Sequence, residues 1–130
     1  MLAVARLRGV AGDALRYVPA GEIVLRPGGK GRYLIEAYAV LPGEPPATGA
    51  VLEFAGGRSE EARRFLEGAL SDREFRPAPV AVQAALWALL ADVDRSEVEA
   101  RLRMTGPDYQ MARALLQSAG FDPGGTRLFR

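Results

Sequence analysis

The 130-residue sequence contains no cysteine and no histidine. Without cysteine there is no disulfide, no thiolate nucleophile and no sulfur-ligated metal site. Without histidine, the commonest metal ligand and general base is missing too. Serine–histidine hydrolysis and zinc hydrolysis by their familiar routes are therefore excluded. A cysteine-free chain suits the cytosol and an oxidising exterior equally, so it does not choose a compartment. An excess of one charge is lacking as well: 17 basic residues stand against 16 acidic ones, a formal net of +1. The balance also holds locally, with 6 basic and 5 acidic residues over positions 1–57 and 11 of each over 58–130. Nothing in it draws the chain to nucleic acid or to an anionic membrane surface. Lysine is nearly absent, since arginine supplies 16 of the 17 basic residues. No apolar run reaches the roughly 20 residues of a membrane span. Residues 1–6 are too short an apolar run for the core of a secretory signal. A leader removed ahead of residue 1 would place the chain outside the cell or on its surface; otherwise the expectation is cytoplasmic.

What is present is ordinary for a soluble domain: 48% hydrophobic and 25% charged residues. The length fits a single domain over 1–130 that buries about two-thirds of its unfolded surface. The stretch that organises it runs from Pro77 to Asp92 and holds the single tryptophan. It predicts a central helix over 79–91, with Pro79 in the first turn and a stop near Asp92. One polar side chain, Gln83, interrupts it, on the same helical face as Val80, Trp87 and Leu90.

The first 56 residues read as β, with strands at 2–8, 15–18, 22–26, 32–41 and 49–54. Turn residues at Gly12-Asp13 and 27–31 punctuate them, and a hairpin is expected between 22–26 and 32–41. Pro42, Pro45 and Pro46 stiffen the loop that follows. Near Gly57 the period changes to 3.6: Ala62, Phe65, Leu66, Ala69 and Leu70 form one apolar stripe. This predicts a helix over about 59–70. Asp94 to Glu97 has capping-box spacing and opens a third helix over about 95–103, with Val93 and Val98 as its staple. Thr105 to Asp108 repeats the pattern ahead of a fourth helix ending near Ser118, with Gly120 as its left-handed terminator. The segment over 122–130 is either a last edge strand or a tail. The expected architecture is α+β: an N-terminal antiparallel β-barrel or sandwich over 1–56, then a cluster of about four helices over 57–121.

Among candidate sites, Gln83 needs partners if buried, since an unmet polar group costs on the order of 1–3 kcal/mol. It either bonds a loop backbone or lies at the rim of the core. Trp87 reads as core, with an acceptor expected for its indole N–H. Gly56, Gly57, Arg58 and Ser59 are a candidate anion site at a helix start, equally explained as a turn with a serine cap. Gly28 to Arg32 lacks the spacing of a phosphate loop. Asp92, Asp94 and Glu97 do not fit a Ca²⁺ loop. No metal and no cofactor is expected.

Val82-Gln83-Ala84-Ala85-Leu86-Trp87, followed by Asp92, resembles the Gln-x-Ala-aliphatic-Trp helix of bacterial thioester domains of the surface-adhesin type. Glu36-Ala37-Tyr38-Ala39-Val40-Leu41-Pro42 is similar to the strand and Pro-rich loop that carry that family's reactive cysteine. The resemblance implies that Tyr38, Ala39, Gln83 and Trp87 share one site. In the family, the cysteine and glutamine side chains are covalently joined and acylate amines on a target surface. Here Ala39 stands at the cysteine position, so that chemistry is absent. The resemblance implies a non-catalytic binding or structural module that has lost its thioester, with a protein or surface partner and an extracytoplasmic location. The alternative is a cytosolic adaptor or small-ligand-binding α+β protein. Neither is an enzyme.

Overall fold

Alternating apolar residues near the N-terminus do form strand in the computed structural model, which describes residues 2–11, 14–18, 27–28, 32–43, 59–72 and 75–130. The chain divides into two compact units, Leu2–Tyr38 and Ala39–Arg130. In the first, strand β1 spans Leu2–Ala11 and pairs antiparallel with β2, Ala14–Val18. Their register runs from Leu7 opposite Val18 to Ala11 opposite Ala14. Strand β3, Arg32–Ala39, flanks β1 on its other side, so the sheet has three strands in the order β2-β1-β3.

This corrects the expected N-terminal barrel or sandwich. Helix outweighs strand among the described residues, which hold neither a closed barrel nor a second sheet. Alternation reports that one face of a strand is buried; it carries no information on which strands pair or how many layers they make. The described neighbour of β3 is β1, whereas the expected hairpin partner at 22–26 lies outside the described residues. So do the turn at Gly12-Asp13 and the strand at 49–54. β3 also ends at Ala39 instead of residue 41, because the chain bends through Val40, Leu41 and Pro42.

In the second unit, helix α1 spans Glu60–Ala69 and buries Ala62, Phe65, Leu66 and Ala69 of the stripe read from the sequence, while Leu70, its fifth member, caps the helix half-buried. Ser59 Oγ accepts the Ala62 N–H at 3.2 Å, and on the outer face Arg63 bridges Glu60 and Glu67. Helix α2 spans Pro79–Ala91, as expected, and stops where Asp92 enters the left-handed region at φ 46°. Asp tolerates that conformation better than most residues do. Because α2 is apolar nearly all round, it must be enclosed, and it packs against both α1 and helix α4, Gly106–Ser118. Phe65, Leu86 and Leu116 are each fully buried there, contributing roughly 1.5–3 kcal/mol apiece through burial.

Helix α3 spans only Arg95–Glu99, shorter than the expected 95–103. Its capping box is present: the Glu97 N–H donates to Asp94 Oδ1 at 3.0 Å and the Asp94 N–H to Glu97 Oε2 at 2.8 Å. Val98 is its one buried residue, so nothing draws a longer helix onto the core. The chain turns off with the N–H groups of Arg101 and Leu102 both donating to Val98 O. At α4, Asp108 Oδ2 accepts from the Thr105 N–H and hydroxyl at 2.8 and 2.6 Å. Its other end is a Schellman motif around Gly120 at φ 82°, with Phe121 N–H to Leu116 O at 2.9 Å and Gly120 N–H to Gln117 O at 3.0 Å. A 3-10 turn at Pro123–Gly125 and further turns carry the chain to Arg130, so residues 122–130 form a tail without strand. Thr126 and Leu128 are buried within it.

Gly68 lets α1 and the end of α4 meet: a Cβ at this position would lie 2.7 Å from Ala119 Cα, a backbone atom. Gly68→Ala should therefore destabilise the fold by roughly 1–3 kcal/mol, although alanine is the better helix former. A urea midpoint at or above that of the parent chain would show that the two helices do not approach so closely.

Candidate functional site

Ala39 ends a strand and opens the second unit, and there it meets the second turn of α2, where the helix presents its one polar interior residue. Gln83 and Trp87 are four positions apart, so they stack on one helical face. The Ala39 N–H donates to Gln83 Oε1 at 2.9 Å, and Gln83 Nε2 donates to Ala39 O at 2.7 Å. Trp87 Nε1 donates to the same carbonyl oxygen at 3.0 Å. The donor and the oxygen of Ala39 are thus both engaged, the oxygen twice. The carboxamide orientation follows from chemistry, because a backbone N–H can only donate and a C=O can only accept. In effect the Gln83 side chain takes the place of a peptide unit on a neighbouring strand.

Burial differs along this face. Trp87 is 4% exposed, as expected of a core residue, and its N–H has found an acceptor. Gln83 and Ala39 are half-buried. Tyr38 is buried and precedes Ala39 in β3, so its side chain leaves the strand on the opposite face. Val40 is buried, whereas Leu41 is exposed. The fold brings Ala39, Gln83 and Trp87 to one place across 44 and 48 residues of chain. The three carry no titratable side chain, and the arrangement holds a backbone segment without supplying a nucleophile or a proton.

The anion candidate is only partly described, since Gly56, Gly57 and Arg58 lie outside the described residues. Ser59 acts as a helix cap, and Glu60 and Glu61 occupy the first turn, where they complement the helix dipole and repel an anion. Asp92, Asp94 and Glu97 do cluster, and the cation among them is the chain's own Arg127. Its guanidinium lies 2.7 Å from Asp94 Oδ2 and 3.7 Å from Glu97 Oε2, and its backbone N–H donates to Asp92 Oδ1 at 2.9 Å. Sequence reasoning missed Arg127, which lies 35 residues from Asp92 and 33 from Asp94 and carries no local signal. Nearby, Arg95 pairs with Glu99 at 2.8 Å and stacks over Tyr109, 4.7 Å from the ring centroid. Among the described residues, no group of three acidic, histidine or cysteine side chains is placed to hold a metal ion, and no helix is long and apolar enough to cross a membrane.

No family model, curated protein or solved structure matches the chain.

Two outcomes test this geometry. Gln83→Leu strands the Ala39 N–H in a half-buried place and should cost about 1–3 kcal/mol. Trp87→Ala should cost about 3–5 kcal/mol, and Trp87→Phe, which removes the N–H but keeps most of the bulk, clearly less. Denaturant unfolding of the three variants checks both; a near-neutral Trp87→Ala would mean that the indole is not core.

Acid should loosen the α2–α3 junction. Hydrogen bonds from the Ser96 hydroxyl and the Glu97 backbone, with the Arg127 charge, hold the Asp94 carboxyl below its ordinary value. Bonds from Thr105 do the same for Asp108. A depressed folded-state value contributes stability above the unfolded pKa of about 4, and that contribution is lost as pH falls through the folded value. The Tm should therefore fall between about pH 5 and pH 3, and fall less steeply in Asp94→Asn. An identical acid-side slope in the variant would exclude Asp94 as a contributor.

Proposed function

We propose that this chain is a non-catalytic binding or structural module resembling a thioester domain that has lost its reactive cysteine, with a protein or surface partner outside the cytoplasm. One observation supports the reading above the others: Ala39, at the position of the missing cysteine, is hydrogen-bonded through both of its backbone polar groups to the Gln83 carboxamide. Trp87 donates to the same carbonyl and closes the site from the helix side. Methyl and carboxamide do not react, so the module binds or spaces without bond formation.

A second reading, a small-ligand-binding protein, is favoured by a separate feature of the second unit. A groove of about 480 Å³ opens between the end of α1, the connector residues Ser71, Asp72 and Phe75, and α4.

Ala39→Cys tests the first reading. If the geometry is that of a thioester site, the introduced thiol attacks the Gln83 amide carbon, a C–S bond forms, the C–N bond breaks and ammonia leaves. Intact mass of the folded variant should then be lower by one ammonia than its sequence mass, while the parent chain keeps its full mass. A folded variant that keeps both a titratable thiol and its full mass would remove the support for the thioester-domain resemblance.

A further inference from the structure

The central helix begins without a conventional cap. Proline occupies its first position, and Ala78 at the cap has no side chain able to bond the free N–H groups. The Ala78 carbonyl accepts from Ala81 and Val82 at 2.9 and 3.2 Å, which starts the helix. The Ala78 N–H has an unusual acceptor: the thioether sulfur of Met111 on α4, at 3.2 Å and 33 residues along the chain. A thioether is a weak acceptor, yet this one ties the start of α2 to the middle of α4.

Met111 also has a second environment. It is half-buried and lines the groove described above, beside Gln110, Ala114 and Leu115, with Phe75 opposite at 47% exposure. With no cysteine in the chain, the sulfurs of Met1, Met104 and Met111 are its only oxidisable sulfur atoms. Of Met104 and Met111, the two described, Met111 is the one bonded through sulfur to another element's backbone.

We propose that Met111 is a site of reversible oxidation, at which a peroxide entering the groove converts the thioether to the sulfoxide and loosens the start of the central helix. A sulfur lone pair attacks the peroxide; the O–O bond breaks, an S–O bond forms, and sulfur gives up two electrons. The peroxide leaves reduced as water or an alcohol. Oxygen bonds to the sulfur lone pair that the Ala78 N–H does not occupy and withdraws electron density from the sulfur, so the sulfur becomes a poorer acceptor and the Ala78 contact is weakened or α4 moves. The polar sulfoxide also sits poorly against Ala114 and Leu115. A sulfoxide reductase reverses the step. The proposal is independent of the thioester resemblance, because it uses neither Ala39 nor Gln83.

The test is dilute hydrogen peroxide on the intact folded chain, read by peptide mass spectrometry and by Tm. Met111 should gain one oxygen, and Tm should fall by about 4 °C in the oxidised fraction, the size expected for one lost contact in a domain of this length. Met111→Leu should keep its Tm at the same dose, and Met104→Leu should lose as much as the parent. Three results would overturn the proposal: Met111 unmodified while Met104 is oxidised, Met111 oxidised with no change in Tm, or a fall in Tm abolished by Met104→Leu. Should Met111→Leu fail to fold, the parent and Met104→Leu measurements decide.

Discussion

A helix with almost no polar side must be surrounded, and the packing of the second unit follows from that requirement at α2. Ala81, Ala84, Ala85 and Ala88 bring neighbouring backbones close, while Val82, Leu86 and Trp87 fill the space between them. The stripes of α1 and α4 supply two of the covering surfaces. Gly68 answers the same demand for close approach, since α1 and the end of α4 converge on the same core. Val98 of the short α3 and Thr126 and Leu128 of the tail are buried as well, and Arg127 of the tail pairs with Asp94 at the start of α3.

Enclosing such a helix leaves little room for a polar group, and Gln83 shows how one is accommodated. A carboxamide has the same donor and acceptor as a peptide group, so it can bond both backbone groups of a strand residue. Ala39 is that residue. The indole N–H of Trp87, one turn further, takes the remaining acceptor capacity of the same carbonyl. The polar exception on the helix and the backbone groups of Ala39 bond each other directly.

What the sequence discloses follows the range of the forces involved. The bounds of α2, the capping box at Asp94 and Glu97 and the Schellman ending at Gly120 are decided by residues a few positions apart. They are readable from those residues alone. The end of α3 reads too late because the residues after Val98 can continue a helix but have no core to cover. Sheet assembly is misread for a different reason: alternation along β1 and β3 is the same whether the strands close a barrel or form a single layer. Arg127 beside Asp92 and Asp94, and the sulfur of Met111 at the start of α2, join residues more than 30 apart. No spacing in the sequence encodes either.

The meeting of Ala39 and Gln83 is legible only through a resemblance, and its weight must be judged against the simpler physics. Any glutamine inside an apolar helix needs a donor and an acceptor, and a strand end offers both. The pairing is therefore required by the thioester reading and also permitted without it. What separates the two is the position of the amide carbon relative to the side chain at residue 39. A clamp for the backbone requires only that the amide edge face Ala39; a reactive pair requires that the carbon also lie on the line of approach of an atom attached to its Cβ. The bonds to Ala39 fix the first condition. The second is a property of chemistry, and a sulfur at position 39 is the probe that reads it.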